Sequence, residues 1–197
     1  MSCKYVASFT TGGLFHRESL LLAEHFLQLN SWESVCAKVN EENLLQVRAG
    51  SSSKRICREV ASRLKTLNPA EVEFLLVSPG HDQAYLLWVA VCRHYQLIGD
   101  FAIEVLRERF GALNTSLDHS DFDAFFNRKA EWHAELDKIA ESTRKKLRQV
   151  LFRILREANL LSRKGEICAA LPGPELTRLL KSQANRDFIY FPMYREH

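Results

Sequence analysis

Residues 141–159 read ESTRKKLRQVLFRILREAN, and the spacing within this stretch fixes the class of the fold. Leu147, Val150, Leu151, Ile154, Leu155 and Ala158 recur at the i, i+3, i+4, i+7 spacing of one helical face. At about 100° per residue, Lys145, Arg148 and Arg156 fall on the opposite side, with Arg153 and Lys146 at its margin and Phe152 in its middle. A helix so patterned buries one side and turns arginines plus one aromatic outward. That equips it to meet phosphate and to stack on a base. The competing reading is the solvated charged face of an ordinary core helix. Sign separates the two: from Glu141 to Lys164 only Glu141 and Glu157 interrupt Arg144, Lys145, Lys146, Arg148, Arg153, Arg156, Arg163 and Lys164.

Outward from this helix the pattern stays helical. Leu14 to Leu29 reads as a first helix, Ser31 as the cap of a short one from Trp32, and Val39 to Leu45 as a short acidic segment. Gly50-Ser51-Ser52-Ser53 is a polar break whose serines are expected to cap Lys54–Leu67; Pro69 suits the first turn of Ala70–Val77. Asp82 to Tyr95 is apolar nearly all round, as a central helix would be. Asp100 is expected to cap a helix to Phe110, and Ser120 one to Lys138. Beyond Leu161, Glu166–Leu171 reads as a short strand, Glu175–Ser182 as a short helix and Asp187–Tyr194 as a strand-like finish. The fold is therefore expected to be mainly α. A helical body over 1–138 is followed at 139–197 by a small winged-helix-like unit with at most a short β-hairpin.

Charge is unevenly spread. The chain carries a net +3, yet Arg48–Lys65 holds six bases against one acid, and Asp100–Ala140 nine acids against five bases. Such polarity bears on the choice of partner rather than on fold. Ser51-Ser52-Ser53 followed by Lys54, Arg55 and Arg58 forms a second candidate phosphate patch, against the plainer reading of a capped surface helix. Gly12-Gly13 before a helix could offer free N–H groups to an anion, but the preferred reading is a tight turn that packs the terminus onto the body.

Catalytic signatures are missing. Five widely spaced cysteines without a CxxC pair argue against a zinc module and against a disulfide framework, and the histidines occur singly. Asp118, Asp121 and Asp123 lack the Gly and the distant Glu of a calcium loop. No nucleophile or nucleotide motif is present. The expectation is no enzyme, no metal and no cofactor. The start, MSCKYVASFT, has no signal-peptide pattern and no apolar stretch could span a membrane, so a cytoplasmic protein is expected.

The opening, Lys4-Tyr5-x-x-Ser8-Phe9-Thr10-x-Gly12-Gly13-Leu14-x-x-x-Glu18-Ser19, resembles the amino-terminal signature of the BrxA family, small proteins of the BREX bacteriophage-exclusion systems of bacteria. The Trp32 segment, Ser52-Ser53-Lys54-Arg55 with Arg63-Leu64 downstream, and Glu157-Ala158-Asn159-Leu160-Leu161 fit as well; Asn159 stands where the family often has Gly. The resemblance implies a mostly helical fold similar to the NusB antitermination factor. It further implies a non-enzymatic role in phage defence and binding to nucleic acid, with double-stranded DNA favoured and other BREX components as further partners. It supplies no contact residues, so Lys54, Arg55, Arg58 and the late basic residues rest on charge and spacing alone. The exposed side of the late helix offers little Asn or Gln to read base edges, so contact with phosphates without strong sequence preference is expected. The alternative is an adaptor whose basic face docks an acidic protein.

Overall fold

A helix with no polar face satisfies its side chains only when it is covered on every side. In the computed structural model, which describes residues 5, 8–10, 12–182 and 186–194, every residue from Ala84 to Cys92 is buried. The readings made at Lys4, Cys3 and Thr11 lie outside the described residues. The helices are α1 (His16–Leu29), α2 (Trp32–Glu41), α3 (Gly50–Leu64), α4 (Pro69–Val77), α5 (Gly80–His94) and α6 (Gln96–Phe101). The last runs through a π-helical segment (Ala102–Arg107) into α7 (Glu108–Gly111); α8 (His119–Ala130), α9 (Ala134–Asp137), α10 (Glu141–Glu157) and α11 (Pro174–Ser182) follow, then a 3-10 turn (Arg186–Tyr190). Around α5, α1 packs on α2, α3 and α4, while α3, α4 and α10 each touch α5. One continuous apolar core extends from Tyr5 and Phe9 to Phe191. Each fully buried large side chain in it, Trp88 among them, contributes roughly 1.5–3 kcal/mol.

The expected helices form with shifted ends, except that the one expected to run to Lys138 breaks at residues 131–133 into α8 and α9. Ser31 caps α2 by accepting from the N–H of Ser34 at 3.2 Å, and Asn68 with Glu71 makes a reciprocal capping box at the start of α4. The serines of residues 51–53 are not caps: Ala49 precedes α3, they lie in its first turn, and the hydroxyl of Ser53 donates instead to Asn40 at 2.7 Å. Asp100 is likewise interior to the helix that begins at Gln96, where it receives Gln96, Lys129 and the hydroxyl of Tyr5. Asp118, not Ser120, caps α8. Residues 42–45 form a turn at the end of α2 rather than an element of their own.

The carboxy-terminal strands do not form. Among the described residues only isolated bridges occur, Leu161 with Ile167 and Ser116 with Glu166. Residues 186–190 coil because the body holds them point by point. The side chain of Asp187 accepts from Arg93, and the indole N–H of Trp88 donates to the carbonyl of Tyr190 at 3.0 Å. Among the described residues, the one backbone bond across to residues 166–171 is from the N–H of Ala170 to Pro192 at 2.9 Å.

Arg93 is the strongest polar tie. Its guanidinium meets Glu71, which is 0% exposed, at 2.7 and 2.8 Å, and Asp187 at 2.7 and 3.1 Å. Burial opposes the charge on Arg93, but the two carboxylates outweigh it and hold the guanidinium's pKa above its usual value. Replacing Arg93 by Met should lower unfolding free energy by about 3–5 kcal/mol, because Glu71 is left buried and uncompensated. Denaturant titration measures this, and Lys65→Ala, which removes the exposed pair with Glu33, should leave the midpoint unchanged.

Candidate nucleic-acid interface

α10 forms over Glu141–Glu157 and ends as its sequence requires: Asn159 adopts the left-handed conformation (φ 58°), and the N–H of Leu160 donates to the carbonyl of Leu155 at 2.9 Å. Leu147, Val150, Leu151, Ile154, Leu155 and Ala158 are buried as the periodicity predicts. The opposite side is not the free cationic face that the periodicity suggests. Phe152 is 2% exposed and meets the ring of His119 edge-on at 4.8 Å, so it is unavailable for stacking. Arg148 is half-buried and paired with Asp123. Arg144 reaches Asp123 at 3.2 Å, the carbonyl of Asp123 at 2.7 Å and Asn127 at 2.6 Å, and its guanidinium lies 4.9 Å from the centre of the Phe126 ring. The cause is the acidic segment read earlier as a separate feature: side chains of α8 reach across and neutralise part of the charge of α10.

The remaining basic residues fall into two groups. Lys145 pairs with Glu141 at 2.6 Å in the open, and Arg153 with Glu157 at 2.7 Å. Lys146, Arg156, Arg163 and Lys164, together with Lys54, Arg55 and Arg58 on α3, are exposed and have no carboxylate partner among the described residues. Arg156 lies over the outer face of the buried Phe152, 5.9 Å from its centroid. Arg163 and Lys164 occupy the tip of a tight turn. The N–H of Gly165 closes on Ser162 at 3.2 Å, and the hydroxyl of Ser162 accepts from Lys164 and Glu166 at 3.2 and 3.0 Å. Gly165 sits at φ 84°, a conformation that a three-residue hairpin loop of this kind demands. This turn, closed by the isolated bridge of Leu161 with Ile167, precedes the two segments expected to form the hairpin.

The turn at Gly12–Phe15 joins the two basic helices. The carbonyl of Gly13 accepts from Arg63 of α3 at 2.7 Å, and the N–H of Leu14 donates to Glu157 of α10 at 2.6 Å. The anion at this turn is therefore the chain's own carboxylate, which settles the Gly12-Gly13 reading in favour of a packing turn. A Cβ at Gly13 would meet that carboxylate and displace it, so glycine lets Glu157 approach the turn. Arg55 borders a hollow on one side of the turn, and Arg153 a cleft of about 410 Å³ on the other. Sequence reading missed Asp123, Arg63 and Glu157 as the residues that organise these cations. For Arg63 a signal existed: a cation three residues after Val60 sits on the apolar side of α3. Among the described residues no group of three or more His, Cys, Asp or Glu could hold a metal ion, and no helix is long and apolar enough to cross a membrane.

Fold and site together define a mainly helical protein in which α3, α10 and one tight turn each carry exposed cations without a carboxylate partner among the described residues. The chain belongs to the BrxA family, whose model matches residues 3–184. It is 24% identical to the BREX protein BrxA of Escherichia coli O9:H4 (strain HS) over 187 residues, 94% of this chain and 88% of that protein. It is 32% identical to the BREX protein BrxA of Bacillus cereus (strain H3081.97) over 148 residues, 73% and 70% of the two chains. The fold is similar to the crystal structure of an uncharacterized protein from Magnetospirillum magneticum, with a TM-score of 0.80 and 21% identity over 98% of this chain and 100% of that one.

Glu157→Ala should cost about 1–3 kcal/mol in a urea melt, because the N–H of Leu14 loses its acceptor at a half-buried site. Arg153→Ala removes only an exposed partner of the same carboxylate and should leave the midpoint within error of the parent.

Proposed function

We propose that the chain is a non-enzymatic accessory protein of a BREX phage-defence system that acts in the bacterial cytoplasm. In this reading it binds duplex DNA through phosphates, largely without sequence preference, and works alongside other BREX components. The family and the naming of its E. coli and B. cereus relatives support the defence role. One observation carries the DNA reading: Lys54, Arg55, Arg58, Lys146, Arg156, Arg163 and Lys164 stay exposed and uncompensated although the chain holds acids enough to neutralise many of them. Elsewhere carboxylates are set against cations freely, at Arg144, Arg148, Arg93 and Lys129. Cations kept clear of carboxylates on a helix face and a turn tip suit a linear array of phosphates. Arg144, Arg148 and Phe152 serve this surface indirectly, by fixing α10 against α8. The two basic groups border one turn, which supports their lying on a shared face.

Two measurements test the reading. Affinity for random duplexes should rise with duplex length as overlapping sites accumulate, and log affinity should fall steeply against log salt. Indifference to free DNA would favour an adaptor that docks an acidic protein on the same cations. In addition, Lys146→Ala, Arg156→Ala and Lys164→Ala combined should leave thermal melting close to that of the parent, since all three side chains are exposed. The combination should weaken binding equally on all sequences and flatten the salt slope by about 0.9 for each phosphate no longer neutralised. Unchanged duplex affinity at low salt would overturn the assignment.

A further inference from the structure

Arg107 closes the π-helical segment Ala102–Arg107. Such a segment inserts an extra residue into a turn and recurs where a side chain is re-aimed for a purpose. The guanidinium of Arg107 is half-buried, yet no carboxylate among the described residues pairs with it. Its neighbours differ: Arg109 is paired with Asp121, and Arg128 with Glu104. Arg107 instead lines two adjoining hollows. One, of about 470 Å³, is walled by Leu171, Phe188, Phe191 and Met193 and has Lys181 at its edge. The other, of about 620 Å³, is bounded by Phe110, Leu113 and Glu108; Met193 and Tyr194 belong to both.

The walls are fixed in advance. The N–H of Ala170 donates to Pro192 at 2.9 Å, that of Leu171 to the hydroxyl of Tyr85 at 3.3 Å, and the ring of Tyr194 rests edge-on to Phe110 at 5.0 Å. Three large apolar side chains nevertheless stand in water along the rim: Leu113 is 83% exposed, Leu171 73% and Tyr194 70%. A preformed apolar hollow with a few convergent polar groups is the usual form of a binding site, and clustered exposed apolar side chains mark contact surfaces. The charge is selective. Arg107 and Lys181 line the first hollow and no acid does; Glu108, at the far hollow, is the one carboxylate nearby.

We propose that this groove docks a short segment of a protein partner that places a bulky apolar side chain next to a carboxylate. The apolar group fills the hollow against Phe188 and Met193, and the carboxylate takes the unpaired fork of Arg107, whose planar donors match it in a bidentate fashion. DNA does not fit this chemistry, since a phosphate backbone brings no apolar group to cover Leu171 or Tyr194. Two hollows in a row on either side of one arginine match an extended chain better than a compact molecule. The inference stands apart from the DNA reading, because none of its residues belongs to the cations assigned to phosphate.

The test uses the full chain and a labelled, acetylated peptide of alternating Glu and Phe. Its counterparts carry Gln for Glu or Ser for Phe, and fluorescence anisotropy reads binding. The Glu/Phe peptide should bind about tenfold tighter than either counterpart, the scale of one apolar anchor or one charge pair. Arg107→Glu and Leu171→Asp should each cost it about tenfold, with melting and duplex binding unchanged. Leu171 is exposed enough that its replacement guards against a failure of Arg107→Glu to fold. The proposal falls if no peptide of the set binds, if the Gln counterpart binds equally well, or if Arg107→Glu retains the peptide. It falls equally if Arg107→Glu loses duplex DNA while the parent ignores the peptide, which would place Arg107 on a phosphate-binding surface.

Discussion

The Gly12–Phe15 turn is gripped from two sides, and the relation between the two basic helices depends on that grip. A backbone carbonyl and N–H turned into the body need partners, or they cost as much as a lost hydrogen bond. Here both partners come from charged side chains: Arg63 of α3, 3% exposed, holds the carbonyl of Gly13, and Glu157 of α10 holds the N–H of Leu14. Arg63 is held in turn by Glu59 at 2.8 Å and lies against the rings of Phe15 and Tyr95. Phe15 sits at φ 57°, a conformation worth roughly 1–2 kcal/mol of strain for a residue with a Cβ, which persists only where the surroundings fix it. Through this one turn, helices far apart in the chain take a fixed position relative to each other.

Charge is then sorted by neighbourhood. α10 is basic, and where the first turns of α8 face it Asp123 binds Arg144 and Arg148 together. Half-buried, these groups hold α10 in place rather than present it to a ligand. Off the side that meets α8, the same helix and the turn after it keep Lys146, Arg156, Arg163 and Lys164 in solvent. A similar division holds near the amino terminus, where Lys129 is flanked by Asp100 and Glu104. Burial opposes its charge, but the carboxylates prevail and raise its pKa. The hydroxyl of Tyr5, buried beside Asp100, is pushed up to about 12. These clusters are structural, and the exposed cations are what remains for a partner.

The chain thus presents surfaces of two chemistries. On α3, α10 and the turn at 162–165, cations stand free without exposed large apolar side chains on the same elements. Around Arg107 the proportion is reversed, with a wall of Leu, Phe, Met and Tyr and little charge. Polyanions reward the first arrangement and protein segments the second. A protein that works beside others in a defence system has use for both.

The sequence by itself determined the helices. The stripe Leu147–Ala158, the all-apolar run in α5, Ser31 as a cap and Asn159 as a stop follow from spacing and local hydrogen bonding, and neighbours do not alter them. The opening motif also carried the family, and Gly13 within it is where the carboxylate of Glu157 comes close to the backbone. The tertiary structure alone decided which charges stay free. A helical projection assumes one buried face. It therefore placed Phe152 in solvent and Arg148 beside it, whereas α8 covers both with His119 and Asp123. It likewise took residues 187–194 for a strand, because aromatic alternation cannot reveal that Arg93 anchors the side chain of Asp187 and Trp88 the carbonyl of Tyr190. Periodicity records what a segment prefers, while pairing between residues remote in the chain records what the fold brings within reach.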